Sequence, residues 1–127
     1  MWSALKSPLL ISTDLRDLTA PALTILNNPA VIAINQDPLS RSAVQNRRDL
    51  NVKKDQHGIG KAQVWSGHLA GGDQVVVFFN AADEDLNMEA SLIELFYHEG
   101  PNGHAPQVKE TWGIYDLWGD RMENGVA

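Results

Sequence analysis

The sequence predicts two unlike parts in series, an α/β slice in residues 1–38 and a partial antiparallel β-domain in residues 62–127. Three observations predict this. A short apolar run, Leu9-Leu10-Ile11, stands between breakers and is followed by helical spacing, which suits a buried strand leading into a helix. Further on, two apolar runs flank Ala70-Gly71-Gly72-Asp73, the composition of a hairpin turn. Between the two parts lies a polar stretch, residues 39–61, holding six of the ten basic residues.

In the first part, Trp2 belongs to the end of a preceding helix and packs it. Ser7-Pro8 then opens the run Leu9–Ile11, and Thr13-Asp14 closes it. Thr19 is placed to cap a helix with Pro21 in its first turn. Leu18, Ala22, Ile25 and Leu26 fall on one face of that helix. Asn28-Pro29 is a second start signal, and Val31–Ile34 reads as a further helical piece ending by Pro38. Helix, buried strand and helix in that order make a slice of a parallel α/β fold. One strand is not a sheet, so the slice is expected to be the closing edge of a larger body lying before Met1.

Residues 39–61 read as a linker that runs into a first edge strand. Arg47-Arg48 and Lys53-Lys54 have no aromatics between them, which favours a solvated face over a ligand patch. Residues 62–69 are strand-like, with Val64 and Trp65 in the core. Gln74–Asn80 is expected to be a strand buried on both faces or nearly so. Asp83-Glu84-Asp85 lacks the glycine and spaced oxygens of a calcium loop and reads as a solvated turn. Leu86, Met88 and Ala90 alternate with Asn87, Glu89 and Ser91, the period of a half-solvated strand. Residues 92–97 are ambiguous between helix and strand, and residues 98–106 are a loop. Residues 109–118 read as another strand, with Trp112, Ile114 and Asp116 on one face, and Gly119-Asp120 as a turn. The last residues, RMENGVA, carry no recognisable ending, and counting gives four or five strands after the linker.

Composition narrows the function. A net charge of −6 argues against nucleic acid or an anionic membrane as partner. No cysteine is present, which removes disulfides and thiolate metal sites. His57, His68, His98 and His104 show no metal-ligand spacing, and neither a nucleophile elbow nor a phosphate-binding glycine loop occurs. No metal is expected.

The segments WSALKSPLLISTDL and ILNNPAVIAINQDPL resemble the last barrel strand and helix of the α-galactosidases of glycoside hydrolase family 27. VWSGHLAGGDQVVVFFNAADED and ETWGIYDLW resemble the C-terminal β-domain of the same enzymes, closest to their larger fungal members. The resemblance implies an α/β plus all-β chain, the last strand–helix unit of a (β/α)8 barrel followed by part of an antiparallel β-sandwich. Such a barrel needs eight units and about 250 residues, so the missing N-terminal barrel is needed for activity. The family commonly has glycine after Asp-Pro-Leu, where this chain has Ser40.

The implied activity is retaining hydrolysis of terminal α-D-galactosyl groups from oligosaccharides or galactomannan, without cofactor, by a secreted parent enzyme. This chemistry needs two carboxyl groups across the sugar. The family's two aspartates lie on earlier strands, and neither motif occurs here. No catalytic residue is therefore assigned, and the chain is not expected to be active alone. Active sites of these barrels lie at the C-terminal strand ends, which makes Ser12, Thr13 and Asp14 candidates for the pocket rim. Asp17 lies close by. Two other readings stay open: a non-catalytic sugar-binding or interaction module, and a truncated gene product without function. The tryptophans bear on the former, because aromatic faces can stack on sugar rings. Trp65 and Trp112 suit a core at strand spacing, whereas Trp118 is assigned to neither. An unpartnered strand at residues 9–11 also implies marginal stability.

Overall fold

The computed structural model describes residues 1–48, 62–82, 85–92, 95 and 111–126. The linker beyond Arg48, Asp83-Glu84, the loop at 98–106 and the start of the strand expected at 109–118 lie outside the described residues, as do His57, His98 and His104.

Residues 2–6 form a turn rather than a helix end, and Trp2 is half exposed. Ala4 is buried there and its carbonyl accepts from Ala43 N–H at 2.9 Å. That bond ties the start of the chain to the approach to the first strand. Leu9–Ile11 form no strand. Leu10 is 76% exposed and Ile11 50%. This overturns the expected buried strand. A parallel strand exists through its ladder partners on both sides, and none lies beside this run among the described residues. In place of a ladder, Leu10 N–H donates locally to the Pro8 carbonyl at 3.0 Å.

Helix α1, Ala20–Leu26, starts as expected. Thr19 Oγ1 accepts from Ala22 N–H at 3.4 Å, and Pro21 stands in the first turn. Its inner face is shallow. Leu18, Ala22 and Leu26 are half-buried, while Ile25 of the predicted face is 58% exposed. Helix α2, Pro29–Asn35, follows at once, with Asn28 Oδ1 accepting from Val31 N–H at 3.1 Å. Pro29 at its start costs nothing, because that N–H has no helical partner. Lys6 Nζ donates to the Ile34 carbonyl, and Asn35 Nδ2 to the Ser7 carbonyl at 2.8 Å. Both bonds fasten α2 to the opening turn.

Strands β1 (Val44–Arg48), β2 (Ala62–His68) and β3 (Gln74–Asn80) form one antiparallel sheet in that order. In β2 and β3 the register runs from Ala62 opposite Asn80 to His68 opposite Gln74. The expected turn closes it: Leu69 N–H donates to Asp73 O at 2.9 Å, and Gly71 takes a φ of 84° that side chains resist. β1 carries a bulge between Gln45 and Arg47. The intervening Asn46 has both amide atoms buried without a hydrogen-bond partner among the described residues, and a buried polar group left unpaired costs about 1–3 kcal/mol.

The sheet is covered on two sides. On one, Ala4, Ala43 and Val75 form a small core that Ile34, Trp65, Leu69 and Val77 pack against. Trp65 thus meets its expected core role. On the other, Leu95 is buried, and its carbonyl accepts from Ser66 Oγ and Gln74 Nε2. Leu92 and Leu95 are helical, and Leu95 N–H donates to Ser91 O at 3.2 Å. This decides the ambiguous segment for helix at its described positions. β3 is not buried throughout. Val75 is buried, but Phe78 and Phe79 at the far end are exposed. The exposure belongs to the far end of β3 itself: Ala62, Gln63 and Val64 of β2, opposite it, are buried.

Leu86, Met88 and Ala90 are half-buried and Asn87 and Glu89 exposed. The alternation is present without a ladder among the described residues. Strands β4 (Trp112–Asp116) and β5 (Arg121–Val126) form a separate antiparallel hairpin. The sequence expects β4 and its turn. It misses β5, where Met122-Glu123-Asn124 hides the pairing of Asp116 with Arg121 and Trp112 with Val126.

Candidate functional site

Asp14 N-caps a 3-10 turn, Leu15–Asp17, and accepts Arg16 N–H at 3.0 Å. The Arg16 guanidinium closes on it from the side, Nε to Oδ1 at 2.9 Å and NH2 to Oδ2 at 2.7 Å. Both oxygens are engaged. The Arg16 side chain, and then its backbone N–H, hold the Asp14 carboxyl below the usual carboxylate range. A carboxylate forked by a guanidinium is an acceptor fixed in its ionised form. It is suited to holding a loop rather than to donating a proton. Ser12, Thr13, Asp14 and Asp17 are all exposed along one short stretch of chain. Among the described residues, no group of three or more His, Asp or Glu is placed to hold a metal ion. Nor is any helix there long and apolar enough to cross a membrane.

A second arrangement joins residues far apart in sequence. The corner between α1 and α2 faces the tip of the β4–β5 hairpin across an open pocket of about 410 Å³. Thr24, Asn27 and Asn28 line one side, and Tyr115, Trp118 and Asp120 the other. Asn28 ties the walls together: its Oδ1 caps α2, while its Nδ2 donates to Leu117 O at 3.0 Å. The hairpin tip is held by Asp116. Its Oδ1 accepts Trp118 and Gly119 N–H at 3.0 Å each, and Arg121 NH2 lies 3.0 Å from Oδ2. The Gly119 N–H, the Arg121 side chain and the Trp118 N–H, in that order, hold the Asp116 carboxyl low. Tyr115 O–H donates to Asp120 Oδ1, which pushes the phenol's pKa up. Asp120 reaches it from a left-handed backbone at φ 50°, a conformation Asp tolerates better than most residues.

Sequence reasoning points at Trp118 and the Gly119-Asp120 turn but misses Asn27, Asn28 and Tyr115 as their neighbours. The one local signal, Asn28-Pro29 as a helix start, gives no hint that the amide's other end reaches residue 117.

The two parts have separate matches. Residues 1–37 match the family model described as "Alpha galactosidase A", and residues 59–126 the one described as "Alpha galactosidase C-terminal beta sandwich domain". They define a class of glycoside hydrolase in which a β-sandwich follows the catalytic part. The relatives narrow the class. An α-galactosidase of Lachancea cidri is 42% identical over all 127 residues, which cover 27% of it. α-Galactosidase 5 of Saccharomyces cerevisiae is 39% identical over the same residues, 26% of its length.

Solved structures agree. The α-galactosidase of Saccharomyces cerevisiae with raffinose superposes with a TM-score of 0.77 at 37% identity, over 92% of this chain and 25% of that one. α-Galactosidase I of Mortierella vinacea gives 0.76 at 31%, over 95% and 27%. This chain belongs to the α-galactosidase family, and its fold is that of the family's C-terminal part, where a barrel gives way to a β-sandwich. It spans about a quarter of the length of the relatives it matches.

Proposed function

We propose that this chain is the C-terminal part of a retaining α-galactosidase that removes terminal α-D-galactosyl groups from oligosaccharides or galactomannan. In this reading residues 1–38 supply the last barrel unit, residues 39–61 the linker, and residues 62–127 part of the β-domain. Ser12, Thr13 and Asp14 form part of the substrate-pocket rim, where the Asp14–Arg16 fork holds the loop in place. The two carboxyl groups that such chemistry requires come from the barrel's other strands. Secretion of the whole enzyme belongs to the same proposal and rests on the family resemblance.

One observation carries this reading: all 127 residues align with α-galactosidases at up to 42% identity, and both halves do so in the family's own order. The test is hydrolysis of an aryl α-galactoside by this chain, by the N-terminal barrel portion of a yeast relative, and by the two mixed. The expected result is no turnover from this chain and turnover from the mixture above that of the barrel portion. Turnover by this chain alone that disappears in Asp14→Asn would overturn the proposal, because a catalytic carboxylate would then lie within residues 1–38.

A further inference from the structure

The pocket between the α1–α2 corner and the β4–β5 tip has a makeup that support of a barrel does not explain. Trp118, 63% exposed, presents its ring beside the opening. Polar groups stand around it with capacity unused. The Asn27 carboxamide makes no hydrogen bond among the described residues. Thr24 Oγ1 donates to Ala20 O at 3.0 Å and keeps its lone pairs. Asp120 Oδ1 holds the Tyr115 hydroxyl, and Oδ2 remains open. The volume, about 410 Å³, falls in the range of roughly 300–1,000 Å³ typical of small-molecule sites.

We infer that this pocket binds one neutral hexopyranose unit, its apolar face stacked on Trp118 and its hydroxyls held by Asp120, Asn27 and Thr24. A pyranose ring has a face of C–H groups and a rim of hydroxyls. The first suits an aromatic ring, and the second suits carboxamide, carboxylate and hydroxyl groups that both donate and accept. Exclusion of anions follows from the lining, where Asp120 is the one formal charge among the described residues. A uronic or sialic acid brings a second carboxylate against it and is repelled.

The walls are set before any ligand arrives. The Asn28–Leu117 bond fixes their separation, and Asp116 fixes the hairpin tip through the Trp118 and Gly119 amides. Little ordering is therefore required on binding, which favours affinity. The elements are short, and the residues lie some 90 positions apart in sequence, as the Asn28–Leu117 bond does at a separation of 89. The site thus exists only in the folded chain.

Amide chemical shifts of this 127-residue chain, followed by two-dimensional NMR against methyl α-galactoside, methyl α-mannoside, galacturonate and choline, test the inference. Saturable shifts confined to residues 24–28 and 115–120 are expected with the neutral glycosides, at dissociation constants on the order of millimolar. Galacturonate should bind more weakly. Trp118→Ala should weaken binding about tenfold, the loss of one stacked ring, and Trp118→Phe should recover part of it. The ring is exposed and the turn is held by its backbone amide, so neither variant threatens the fold. Shifts absent up to about 0.1 M glycoside, shifts elsewhere, tighter binding of choline than of the glycosides, or an unaffected Trp118→Ala would each overturn it. Binding is read without turnover, so this result stands apart from that of the hydrolysis assay.

Discussion

Replacing Ser40 by glycine should stabilise the chain. Ser40 follows Asp-Pro-Leu, where the family commonly has glycine, and its backbone sits at φ 54°, in the left-handed region that side chains resist. Relief of that conformation is worth about 1–2 kcal/mol. Glycine's greater freedom in the unfolded chain takes back about 0.4–1 kcal/mol. The serine hydroxyl contributes little to the balance. Its contact with Pro38 O is 3.5 Å long, beyond the usual range. The backbone bond from Ser40 N–H to Asp37 O at 3.1 Å is kept by either residue. The net gain is about 0.5–1 kcal/mol, a rise of roughly 2–4 °C in the unfolding midpoint for a chain of this size. Thermal and urea unfolding, read by tryptophan fluorescence, measures it. Ser40→Ala serves as the control, since alanine keeps the Cβ and relieves nothing. An unchanged or lowered midpoint in Ser40→Gly, or an equal rise in Ser40→Ala, would refute the reasoning.

Substitutions at three further positions follow from the geometry. Gly67→Ala should cost about 1–3 kcal/mol of stability by urea unfolding, because the new Cβ would lie 2.9 Å from Ala43 Cα and 3.2 Å from Ala43 N, backbone that cannot step aside. Asp37 accepts Leu39 N–H at 3.0 Å and Ala70 N–H at 3.1 Å and 3.0 Å, joining the helical slice to the hairpin turn. Asp37→Ala should therefore lower stability by about 1–2 kcal/mol, and Asp37→Asn by less, with amide exchange at Ala70 speeding in both. Asp116 has a lowered pKa in the folded hairpin. Its contribution is thus present above the ordinary aspartate value of about 3.9 and is lost as pH falls through the lowered one. Trp118 emission should change on acidification below roughly pH 4, and Asp116→Asn should abolish that change while loosening the tip at neutral pH.

The sequence alone determined what neighbouring residues settle between themselves. Thr19 with Pro21, and Asn28 with Pro29, start two helices where they were read, because a cap acts within three residues of itself. The β2–β3 hairpin followed from two apolar runs around Gly71 and Gly72. Family membership was legible too, in INQDPL and in YDLW. What failed needed distant partners. Leu9–Ile11 has the composition of a buried strand but no neighbour among the described residues to complete a ladder, so Leu10 and Ile11 stay exposed. β3 loses its cover at Phe78 and Phe79 for the same reason, and β5 was hidden because its pairing lies in β4. The pocket of Asn27, Tyr115, Trp118 and Asp120 belongs wholly to the tertiary structure. Its parts are ordinary surface residues until the Asn28–Leu117 bond brings a helix corner against a hairpin tip. Local hydrogen bonding is written in the chain, but burial and sites depend on which distant segment arrives to share them.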